Sequence, residues 1–123
     1  MKNFEVGKDI KTLLSLSPEV SSALGDKIFP LIATAKTTFP FLVYRRSYYS
    51  PMSTKDWENE KVGVEIVIAA TQYDESVKIA DAVAEALLHK TKQNIDDIEA
   101  TTMSEDFIED TYLQRITMEI TLK

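Results

Sequence analysis

The chain has 123 residues, with 20 acidic and 14 basic side chains and a formal net charge of −6 at neutral pH. That balance argues against a protein that grips nucleic-acid phosphates, and the length fits one domain, residues 1–123, able to bury roughly two-thirds of its unfolded surface. With no cysteine, disulfides, thiol catalysis and cysteine-based zinc or iron–sulfur centres are excluded.

Met1-Lys2-Asn3-Phe4-Glu5-Val6 lacks the apolar run of a signal peptide, and no stretch approaches the length that spans a bilayer. The expected location is the cytoplasm, away from membranes. Residues 3–16 read as a helix, with Asn3 as N-cap and Val6, Ile10, Leu13 and Leu14 on one side. Gly7 weakens that helix by about 1 kcal/mol relative to alanine. Ser17, Pro18 and Glu19 form a second start signal, a cap followed by proline at the first helical position. Gly25 stops that helix after a short run.

Residues 27–30 read as a brief extended piece ended by Pro30, and 33–38 as a small, polar loop. Phe41 to Arg46 forms a strand with β-branched and aromatic bias. Ser47 to Glu60 reads as a long connection that carries Tyr48, Tyr49, Met52 and Trp57. Long loops within compact domains are commonly functional, and aromatics with methionine are enriched at protein contacts. These four residues are therefore the candidate interface, with capping of their own core as the competing reading.

Val62, Val64, Ile66, Ile68 and Ala70 alternate as the core face of a strand, while Val67 and Ala69 on its other face mark it as central. The period then changes to that of a helix over 74–88, with Val77, Ala80, Val83, Ala84, Leu87 and Leu88 as its apolar stripe. Residues 91–97 read as a polar turn, Ile98, Ala100 and Thr102 as one face of a modest strand, and 104–110 as an acidic turn. Ile116, Met118, Ile120 and Leu122 form the inner face of the last strand. The expected fold is α+β: an antiparallel or mixed sheet of about four strands, with an N-terminal helix and one long helix packed on one face.

Catalytic chemistry has little to work with. His89, the single histidine, falls at a helix C-terminus, where a partly charged imidazole is favourable without any further role. One histidine makes neither a multi-histidine metal site nor a triad. Acid pairs such as Asp96-Asp97 and Glu109-Asp110 fall in predicted turns, without the burial that would shift one pKa upward. The three glycines are isolated, so no phosphate-cradling loop exists. Arg45-Arg46 beside Tyr48-Tyr49 has the composition of a stacking and phosphate patch, but on a strand one arginine of the two simply faces water. No cofactor and no metal site is expected.

Four segments together resemble a known family. They are Gly25-Asp26-Lys27-Ile28-Phe29-Pro30, Phe39-Pro40-Phe41-Leu42-Val43-Tyr44, Gln72-Tyr73-Asp74 with Ile79-Ala80-Asp81-Ala82-Val83, and Tyr112-Leu113-Gln114-Arg115. Their order and spacing are similar to those of the small tail-completion proteins of long-tailed bacteriophages and prophages, also called tail terminators or tail-to-head joining proteins. The resemblance implies an α+β fold and a structural, non-catalytic protein. It further implies a ring, usually of six subunits, that caps or joins the head-proximal end of the tail tube. The implied partners are other copies of the chain, the tail tube protein and head–tail connector proteins, with DNA only passing through. Such a protein is made in the host cytoplasm and carried in the virion tail. The alternative is a small ligand- or peptide-binding module with the aromatic loop as a lid, which would show a pocket lined by Tyr44, Tyr48 and Trp57.

Overall fold

The computed structural model describes residues 2–51 and 59–123. Its elements in chain order are α1 (Lys2–Leu16), α2 (Pro18–Leu24), β1 (Ile28–Pro30), β2 (Phe41–Ser50), β3 (Lys61–Ala70), α3 (Tyr73–Leu87), β4 (Ile95–Ile108) and β5 (Thr111–Leu122). The strands form one mixed sheet in the order β1-β2-β3-β5-β4. Only β1 and β2 are parallel; the other neighbours are antiparallel. The fold is α+β as expected, and the brief extended piece at 28–30 adds a fifth strand at one edge.

The sheet buries one face. Val62, Val64, Ile66 and Ile68 of β3 and Ile116, Met118, Ile120 and Leu122 of β5 meet Val6, Ile10 and Leu14 of α1 and Ile79, Val83 and Leu87 of α3 in one cluster. Each such side chain contributes roughly 1.5–3 kcal/mol of transfer free energy. α2 adds Val20 and Leu24 to that cluster. Its start is as the sequence predicts: Ser17 caps it by accepting from the Val20 amide, with Pro18 in the first turn.

Several expectations change in detail. Asn3 is not a cap. It lies within α1, is buried, and its side-chain oxygen accepts from Arg46 at 2.6 Å. The guanidinium also stacks over Phe4, 4.8 Å from the ring centroid, which ties the start of α1 to β2. Gly7 has a packing reason: a Cβ there would lie 3.3 Å from the Tyr44 ring. The buried face of α3 is Ser76, Ile79, Val83, Ala86 and Leu87, and Val77 is exposed. Spacings of three and four from Ser76 define that stripe, and Val77 lies about 100° away from it.

The largest corrections concern strand length. Ser47–Ser50, expected as loop, continue β2 beyond a bulge between Arg46 and Tyr48. Residues 104–108, expected as an acidic turn, are strand residues of β4. A second bulge between Ala100 and Thr102 changes the face of that strand. Ile98 and Ala100 oppose the core residues Ile120 and Met118, whereas Thr102 opposes Thr117 on the open face. The turn itself is only Glu109-Asp110, both with positive φ, 51° and 61°.

Candidate functional site

Of the four residues singled out on the aromatic stretch, Met52 and Trp57 lie outside the described residues. Tyr48 and Tyr49 stand at the end of β2, each about two-fifths exposed. As consecutive strand residues they point to opposite faces, and the bulge before them decides which face each takes. Tyr48 pairs with Gly63 on the open face and Tyr49 with Val62 on the helix-covered face. The Tyr48 ring crosses β3 so closely that a Cβ at Gly63 would meet its Cε2 at 2.1 Å. Its hydroxyl donates to Glu119 at 2.6 Å, and Lys61 approaches the same carboxylate at 3.6 Å. Desolvation against the strand, and then the bond to Glu119, push the Tyr48 hydroxyl up to about 12. Tyr49 donates to Glu60, and that bond raises its pKa as well.

Among the described residues this arrangement is a surface rather than a pocket. Tyr44 opposes Ile66 and is buried on the helix side, whereas Tyr48 lies on the open side. The two tyrosines the ligand-binding alternative needed together are separated by the thickness of the sheet. A shallow groove of about 620 Å³ does run between α2 and α3, lined by Pro18, Ala23, Ile79 and several carboxylates, among them Glu75 and Asp81. His89, just past α3, pairs with Asp97 at 3.1 Å, and that hydrogen bond lowers the Asp97 pKa. Among the described residues no three histidine or acidic side chains gather as a metal site.

The feature that the sequence concealed is the β4–β5 hairpin. Residues 101–110 are all exposed. They include Met103, Phe107 and Ile108, which are 59%, 57% and 48% accessible. Together they make an exposed edge arm, paired along its length with β5, which is itself paired with β3 from Tyr112 to Thr121. Phe107 packs on Tyr112 at 4.7 Å between centroids, and Tyr112 meets Tyr73 edge-on at 5.7 Å. Glu105 accepts from the Tyr73 hydroxyl at 3.0 Å and from Gln114 at 2.9 Å, and Gln114 also donates to the buried Ser76. On the outer face Arg115 pairs with Asp106 at 3.3 Å. The one sequence signal for the arm was the apolar pair Phe107-Ile108 within an otherwise acidic run.

The opposite edge carries a second exposed apolar group, Leu31, Ile32 and Phe39 in the loop from β1 to β2. Phe39 stacks on Phe41 at 5.3 Å, and Lys27 clips the loop to the start of β1 by donating to the Thr38 carbonyl at 3.2 Å. Phe41, Ala69, Leu113 and Asp106 form one rung across β2, β3, β5 and β4. The two edge groups therefore occupy the same band of the sheet.

Comparison with known proteins adds two findings. The family described as "Tail completion protein gp17" matches residues 8–122. A chain of the solved structure "Virion of native gene transfer agent (GTA) particle" has a similar fold, with a TM-score of 0.71 at 8% identity over 92% of this chain and 90% of that one. No protein of curated function matches the sequence.

Proposed function

This chain belongs to the tail completion protein family, with a structural role in a phage-type tail, and from that premise we propose that it forms a ring closing the head-proximal end of the tail tube. The ring is of six subunits in this reading. Its partners are the tail tube protein on one side and head–tail connector proteins on the other, and DNA passes through without being held. Assembly takes place in the host cytoplasm.

The observation that carries the ring is the exposed arm. Met103, Phe107 and Ile108 are left about half exposed, yet the arm root is fixed by the Tyr73–Glu105–Gln114 bonds. A sheet edge held by such bonds and carrying exposed apolar side chains suits a protein that works in contact with copies and neighbours. A net charge of −6 suits a lumen that does not retain phosphates.

The test is co-sedimentation of the purified chain with tubes assembled from the tail tube protein, followed by electron microscopy of the pellets. Density at one end of each tube is expected. Binding along the tube walls, or none, overturns the tube-end role.

A further inference from the structure

We infer that the ring contact is arm to edge: the β4–β5 arm of one subunit, with Ile108 on its outer face and Met103 and Phe107 on its helix-side face, seats its outer face around Ile108 against Leu31, Ile32 and Phe39 at the β1 edge of the next copy. The inference rests on the ring reading above and specifies its interface.

The occupant is identified by charge. Every charged residue between 93 and 114 is acidic, and every charged residue between 27 and 55 is basic. On the arm, Glu105, Asp106, Glu109 and Asp110 accompany the apolar side chains, with Asp106 paired to Arg115 and Glu109 and Asp110 at the tip. On the opposite loop, Lys27 and Lys36 accompany Leu31, Ile32 and Phe39. Arm against arm would bring carboxylates together, and loop against loop would bring lysines together; like charges across an interface cost several kcal/mol. Only arm against loop joins unlike charges around apolar centres. That pairing is heterologous, so it propagates from copy to copy and closes when the rotation permits.

Topology makes the pairing reachable. The two groups lie on opposite edges of one sheet and in the same band, since the Phe41 rung ends on Asp106. A subunit displaced sideways thus presents its arm at the level of its neighbour's loop. The contact is one of side chains rather than a continued sheet. β1 has only three residues and ends in Pro30, which offers no backbone donor.

The absence of native cysteine allows a direct test. Ile32→Cys and Ile108→Cys are made singly, mixed in equal amounts and oxidised with copper phenanthroline over a range of protein concentrations. Both positions are exposed, at 77% and 48%, so the fold tolerates each change. Heterodimer should exceed either homodimer about tenfold or more, since each 1.4 kcal/mol of preference is a factor of ten. The excess should shrink in high salt. With Ser22→Cys on the exposed side of α2 in place of either variant, the excess should disappear. Heterodimer in the proportion of random collision overturns the arm-to-edge contact. If tubes are still capped at one end in that case, the tail-end role stands and only this interface falls. If cross-links form but tubes stay bare, the interface stands and the tube-end role falls.

Discussion

Gly63 is in β3, where its backbone is flanked by β2 and β5 and its open face is covered by the Tyr48 ring. A methyl group at this position would displace the ring and disturb the bond from Tyr48 to Glu119. Gly63→Ala should therefore destabilise by about 1–3 kcal/mol, read from urea denaturation. Adding Tyr48→Ala removes the obstacle, so the double variant should lose less than the sum of the single losses; strict additivity would place the cause elsewhere. The Tyr48 hydroxyl offers a second handle. Its pKa is raised from 10.0 in the free side chain to about 12 in the fold. A raised pKa means that the neutral hydroxyl is favoured in the folded state. The associated stability is complete below about pH 10 and fades as pH climbs towards 12. Ultraviolet difference titration of the native chain against Tyr48→Phe should show one phenol ionising late; a midpoint near 10 would contradict the geometry.

At the scale of the element, β4 shows why an edge strand reads poorly. Ile95 and Ile98 are buried, but residues 101–108 are exposed on both faces, so no alternation of apolar and polar residues marks them. With the turn that follows, residues 101–110 carry four carboxylates and resemble a solvated turn, and the strand is recognised only by its ladder to β5. The turn is correspondingly tight. Glu109 and Asp110 both hold positive φ, as the central residues of a type I′ hairpin turn do. Neither is the preferred residue for that geometry. Glu109→Asn with Asp110→Gly should stabilise the chain by roughly 0.4–1 kcal/mol or more, measured as a rise in the denaturation midpoint. A fall would mean that the two side chains make contacts that outweigh the backbone preference. The bulges act at this scale too. The one between Arg46 and Tyr48 leaves Arg46 beside Asn3 on the helix side while Tyr48 goes to the open side. The one between Ala100 and Thr102 lets β4 leave the core without breaking its pairing.

Across the whole molecule the decisive fact is strand order. β5 is inserted between β3 and β4, which places the acidic hairpin at one margin and the basic β1 loop at the other. One chain thereby presents two different sides, as the ring proposed above requires of identical copies. Self-association should weaken as ionic strength rises, because the Debye length contracts from about 10 Å at 0.1 M to about 3 Å at 1 M. Light scattering behind size exclusion at low and high salt checks this. A species whose mass grows with salt would point instead to apolar contact alone and would count against the unlike-charge pairing.

The sequence by itself determined the α+β class, the helices at 2–16, 18–24 and 73–87 within a residue or two, and the core faces of β3 and β5. It also carried the resemblance to tail completion proteins. These features were legible because each depends on a local period or a local stop: valine and isoleucine every second residue in 62–68, Ser17-Pro18 at a helix start, Gly25 after its end. Only the tertiary structure decided the rest. Which strand neighbours which is set by long-range pairing and is not written in the pattern of either strand. A bulge transfers side chains to the other face without altering composition, as at Ser47. Tyr48 and Tyr49 read as loop aromatics because nothing local shows that Gly63 lies beneath one of them. The arm stayed hidden because an edge exposed on both faces has no buried side to give it a period.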